Sequence, residues 1–69
     1  MISYAPFWKM LAERNMTTYT LRIKYGMSHE TVQRLQQNKS ITTYTLDKLC
    51  TMFNCRLEDI AEYIPDQKK

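Results

Sequence analysis

The sequence predicts an all-α domain of five short helices, closed by a small two-stranded pairing of its N- and C-terminal segments. Three observations lead to that class. Apolar residues recur at helical spacing, most cleanly as Leu46, Leu49, Cys50 and Phe53 at i, i+3, i+4 and i+7. The lone glycine, Gly26, stands between two helix-like segments, 18–25 and 28–36, where a residue tolerating positive φ can end one helix and turn the chain sharply. The stretch Thr17-Thr18-Tyr19-Thr20-Leu21 recurs as Thr42-Thr43-Tyr44-Thr45-Leu46. Both copies read as a hydroxyl-capped helix start leading to a buried leucine. Their flanks differ, so this is no solenoid repeat.

The elements follow in order. Ile2-Ser3-Tyr4 and Glu62-Tyr63-Ile64 are β-prone, bounded by proline, and suited to pairing with each other. The first helix starts at Pro6, whose missing N–H is no loss in a first turn, and runs to Arg14 behind Phe7, Trp8, Met10 and Leu11. The second follows Thr17 as cap and buries Leu21 and Tyr25. The third follows Ser28, spans 29–36 and buries Val32 and Leu35. Gln37-Asn38-Lys39-Ser40 is a polar joint. The fourth helix follows Thr42 and stops at Asn54, a residue that accepts the left-handed conformation. A fifth is expected over 57–62, with Leu57, Ile60 and Ala61 inward and Glu58 and Asp59 near its positive end, and Pro65 prevents continuation.

Composition bounds the function. The 69 residues make one domain, spanning 1–69, near the lower size limit for a core without staples. An apolar share of 43% excludes a disordered chain. No run reaches the length of a membrane span or a signal-peptide core, which points to a soluble, cytoplasmic protein with no membrane partner. The net charge of +3 is uneven: residues 1–49 carry seven basic against three acidic side chains, residues 50–69 three against four. A basic N-terminal part suits a polyanion-facing surface, and ordinary solubilising charge explains the same balance. Cys50 and Cys55 lack a CxxC spacing and a nearby histidine, so they read as reduced structural thiols with no metal.

Two helices joined by so few residues, with glycine in the joint, make a helix-turn-helix unit over 18–37, whose second helix can enter a DNA major groove. The chain resembles the lambda Cro/repressor-type family, also called the XRE family. The central motif lies in Leu21, Gly26, Met27, Val32 and Leu35. The ends are similar to compact members that open Ile-Ser-Tyr-x-Pro-x-Trp and close Asp-Ile-x-Glu-Tyr-x-Pro; here these are residues 2–8 and 59–65. The resemblance covers nearly the whole chain. It implies a five-helix lambda-repressor-like domain, sequence-specific binding of double-stranded DNA and a role in transcription. One departure is Arg22, where the pattern usually has a small residue packed under the third helix. Its stem can cross that contact while its head stays in solvent or meets a phosphate.

With Val32 and Leu35 turned to the core, 100° per residue puts Glu30, Gln33, Arg34 and Gln37 opposite, with His29 and Thr31 on the flanks. Together with Ser28 these are the expected base-contacting positions. Gln33 suits N6 and N7 of adenine, and Arg34 suits O6 and N7 of guanine. Glu30 accepts from cytosine N4 or serves as the i, i+4 partner of Arg34. His29 meets a phosphate, meets a base edge, or is simply exposed. Phosphate contacts are expected from Thr18, Tyr19, Arg22, Asn38, Lys39, Ser40, Thr43 and Tyr44, setting register rather than sequence preference. Capping alone explains the threonines of the two repeats but not their tyrosines.

An enzyme is not expected: the single histidine has no marked partner, no glycine-rich phosphate loop exists, and a substrate pocket would need a larger chain. No cofactor or small-molecule ligand is expected either. A homodimer on a palindromic operator is favoured, because one recognition helix offers few base contacts; the fifth helix and C-terminal segment are the candidate interface. The rival reading is a protein-interaction module of the same fold, an antitoxin or anti-repressor. Its mark would be an exposed apolar patch, for which Met1, Ile2, Tyr63 and Ile64 are candidates.

Overall fold

A computed structural model describes residues 1–65 of the chain. The elements run β1 (Ile2–Ser3), α1 (Ala5–Glu13), α2 (Thr18–Ile23), α3 (His29–Gln36), α4 (Thr43–Phe53), a 3₁₀ turn (Leu57–Asp59) and β2 (Glu62–Tyr63). None of these helices is long enough to hold itself in water, so each depends on burying one stripe. The stripes meet in one core of Tyr4, Phe7, Leu11, Leu21, Val32, Leu35, Leu49, Phe53 and Ile60. Aromatic rings fill its middle: Phe7 lies edge-on to Phe53 at 5.8 Å between centroids, and Tyr25 tilts against Phe53 at 4.8 Å.

The termini do pair. β1 and β2 are antiparallel, with Ile2 opposite Tyr63 and Ser3 opposite Glu62. Beyond the strands, the Ile64 N–H donates to the Met1 carbonyl at 2.8 Å and the terminal amine donates to the Ile64 carbonyl at 2.7 Å.

The expected fifth helix over 57–62 is not formed; the described residues hold four α-helices and one 3₁₀ turn. Asp59 Oδ2 caps the Arg56 N–H at 3.0 Å, and the Ile60 and Ala61 N–H groups close on the Leu57 carbonyl. One turn suffices to bury Ile60 completely. The chain must then extend at Glu62 to meet Ser3, so ladder bonds replace the helical ones that a six-residue helix would make poorly. Leu57, expected inward, is exposed as a result. α2 is also shorter than expected: it ends at Ile23, with Lys24 as its C-cap, and Tyr25 turns its ring onto Phe53 instead of continuing the helix.

A left-handed residue follows each helix. Asn15, Gly26, Asn38 and Asn54 have φ of 57°, 66°, 57° and 51°. Behind the three asparagines the next N–H reaches back five residues to a helix carbonyl, Met16 to Leu11, Lys39 to Arg34 and Cys55 to Cys50. After Gly26 the reach is one residue wider, from Met27 to Leu21 at 3.1 Å.

A Cβ added at Gly26 would find nothing within 4 Å, so glycine is needed there for conformation and not for space. Gly26→Ala is therefore expected to lose about 1–2 kcal/mol, and Gly26→Asn, the residue at the other three stops, only a small part of that. Urea denaturation of the two variants checks this; equal losses would place the requirement in packing.

Candidate nucleic-acid interface

The helix-turn-helix unit is α2, the turn through Gly26, and α3, which opens on a Ser28 cap. The Ser28 hydroxyl accepts from the Thr31 N–H at 3.1 Å and donates to Thr31 Oγ1 at 2.9 Å. Both hydroxyls are thus engaged in starting the helix, at two positions expected to meet bases. Val32 and Leu35 are buried, as their spacing requires, and they set the helix rotation. His29, Glu30, Gln33 and Gln37 lie exposed on the outward side, with Gln36 exposed beside them. Arg34 is half-buried. Its Nε and Nη2 donate to Glu30 Oε2 at 3.4 and 3.3 Å, and its Nη1 donates to the Ser40 carbonyl at 3.2 Å. The i, i+4 partnership of Glu30 is formed, and the Ser40 contact is an addition no periodicity announces.

The repeated pentapeptide caps a helix in both copies, but it leads to a buried leucine only at Leu21, Leu46 being half-buried. Thr17 Oγ1 accepts from the Thr20 N–H at 3.4 Å, and Thr42 Oγ1 accepts from the Thr45 N–H at 3.1 Å. Thr18 and Thr43 are the first residues of α2 and α4, and the tyrosines after them, Tyr19 and Tyr44, project into solvent at 71% and 68% exposure. No core demand accounts for two tyrosines held outward in this way. The Lys48 ammonium sits 5.4 Å from the Tyr44 ring centre, adding positive charge beside the start of α4. Arg22 and Lys24 are exposed along α2 and after it, so Arg22 does keep its head in solvent.

The joint after α3 is held from inside the fold. Asn38 Oδ1 accepts from the Tyr4 N–H at 3.0 Å, and the Lys39 carbonyl accepts from the buried Tyr4 hydroxyl at 2.6 Å. The Trp8 indole N–H donates to the Leu35 carbonyl at 3.2 Å, satisfying an orphan acceptor of the last turn of α3. Sequence reading assigned Asn38 to phosphate and missed Tyr4 and Trp8 as positioning residues. Their signal was present: both are core aromatics with a polar handle, which needs a partner when the ring is buried. The Asn38 carbonyl is occupied inside the protein, while Lys39 and Ser40 remain exposed.

The cysteines are free thiols, both half-buried. Burial, reinforced by neighbouring Cys50 and Asp59, pushes the Cys55 thiol above its ordinary pKa, which keeps it protonated and poorly reactive. Among the described residues, no helix is long and apolar enough to cross a membrane.

Residues 7–66 match the sequence profile of the Cro/C1-type HTH DNA-binding domain. The chain belongs to that family. Among solved structures, it is similar to the crystal structure of the transcriptional regulator VanUg, Form II, with 34% identity and a TM-score of 0.84 over 94% of this chain and 87% of the other. No curated protein sequence matches. Tyr4 and Trp8 anchor the far end of α3 and the joint after it.

Burial also pushes the Tyr4 phenol above its ordinary pKa. A raised folded pKa means the native state prefers the neutral phenol. Its stabilisation is complete below the unfolded value of about 10 and is lost as pH rises through the folded one. Tyr4→Phe removes the bond to Lys39 and is expected to cost about 1 kcal/mol at neutral pH. It is also expected to flatten the decline in stability above about pH 10. Urea melts across that range read both effects, and an unchanged alkaline slope would contradict the burial argument.

Proposed function

We propose that this chain is a sequence-specific transcriptional regulator that binds double-stranded DNA, with residues 29–36 of α3 in the major groove. The observation that carries this reading is the polar face of α3, His29, Glu30, Gln33 and Gln37, held outward in a fold whose neighbouring helices α2 and α4 both start on a threonine cap. Gln33 and Arg34 are the main base readers, with Ser28, His29, Thr31 and Gln37 around them and Glu30 either accepting from cytosine N4 or paired with Arg34. Thr18, Tyr19, Arg22, Asn38, Lys39, Ser40, Thr43 and Tyr44 contact phosphates on either side and set the register. The chain acts by occupying DNA, without catalysis, metal or cofactor.

A homodimer on a palindromic operator fits this interface. One eight-residue helix supplies too few base contacts to compete with non-specific sites, and two-fold pairing doubles them. The terminal sheet supports a second copy as the occupant of that end. Met1, Ile2, Leu57, Tyr63 and Ile64 are large apolar side chains left exposed there. The alternation of an antiparallel ladder also turns the backbone groups of Ile2 and Tyr63 outward, away from each other.

Selection of bound sites from random duplex DNA tests the proposal. The expected product is a palindrome with half-site centres about 10 bp apart. Gln33→Ala is expected to cost about 1–3 kcal/mol of base discrimination at one position per half-site. Affinity should fall steeply with salt, with a log–log slope near −5 for about six phosphates neutralised. A pool without enrichment, alongside a stable complex with another protein, would favour the interaction-module reading instead.

A further inference from the structure

Arg34 is the only lysine or arginine on α3, and all three of its guanidinium nitrogens are engaged inside the protein. A guanidinium carries five N–H groups in a rigid planar fork. Glu30 Oε2 takes the side-on edge formed by Nε and Nη2, and the Ser40 carbonyl takes one proton of Nη1. Two protons are left over, one on each terminal nitrogen. A guanidinium meets O6 and N7 of guanine through two such terminal donors.

The ion pair contributes little to folding. The two side chains are 43% and 75% exposed, and exposed pairs of this kind are weak. Its geometry is nevertheless restrictive. Glu30 lies one turn before Arg34, the favourable order on a helix, and the Ser40 carbonyl belongs to the joint that Tyr4 and Asn38 anchor. The arginine is thus held from its own helix and from the segment that follows it. Much of the rotamer freedom it would lose on docking is already restricted.

We infer that Glu30 is a positioning residue for specificity: with the Ser40 carbonyl it presents the Arg34 fork to guanine, and sets preference at one base pair without touching a base. This rests on the reading of α3 as the groove helix. The carboxylate has a second, opposite effect, because a negative charge near the backbone lowers affinity for every duplex alike. Glu30 therefore trades general affinity for discrimination, a combination that a plain surface ion pair does not produce.

Site selection and affinity measurement with wild type, Glu30→Gln, Arg34→Ala and the double variant test the inference. Glu30→Gln and Arg34→Ala are expected to lose guanine preference at the same position. Glu30→Gln loses about fivefold, the low end of what one bidentate contact discriminates. Glu30→Gln should bind random-sequence duplex more tightly than wild type, and in the Arg34→Ala background it should cause no further loss of preference. Glu30→Asp, one methylene shorter, should not restore the guanine preference. If Glu30→Gln alters a different position from Arg34→Ala, Glu30 reads a base directly and the inference fails. If Glu30→Gln leaves preference unchanged while wild type still selects a site, the pair is only a surface contact and the inference alone falls. If wild type selects no site at all, the regulator proposal falls and takes this inference with it.

Discussion

Two side chains, Val32 and Leu35, decide how α3 is turned, and the rest of the molecule is arranged around that turn. In a helix of eight residues a pair of inward positions three apart leaves little choice of rotation. Once they are buried against the aromatic centre at Phe7 and Phe53, the residues at 30, 33 and 37 must face away from it. The polar composition of that outer side would be unremarkable on an isolated peptide. It becomes a surface of defined shape because the inner side is packed without freedom to roll.

Rotation alone does not fix a short helix; its ends must also be held. Ser28 and Thr31 satisfy the first turn from within the helix, and the Trp8 indole and Tyr4 hydroxyl reach the last turn and the joint from the other end of the chain. The N-terminal segment therefore acts on the exposed side of α3 without being part of it. It is kept in place by pairing with β2, so the chain termini stabilise the far end of α3 through Tyr4. The two-stranded sheet is small, and its value lies in what it positions.

Much of this was legible beforehand, because the signals are local. Threonine and serine before a helix, proline in a first turn and asparagine or glycine after a last one act through bonds to nearby backbone groups, and these caps formed as expected. The outward positions of α3 followed from the 100° repeat. The fifth helix failed for the converse reason. Residues 57–62 have a helical pattern, but Glu62 at its end pairs with Ser3 of β1, and periodicity carries no information about such a distant competitor. Leu57 was misplaced along with it.

The chain on its own determined four of the helical segments, the caps at which three of them start, and which stripe of each segment is apolar, since these depend on neighbours within a few residues. Only the tertiary structure decided that Asn38 faces Tyr4, that Trp8 caps Leu35, and that Arg34 is shared between Glu30 and the Ser40 carbonyl. Each of those contacts except the Glu30 pair depends on the relative placement of different elements. That placement follows from the collective packing of the core, which no short window of sequence contains.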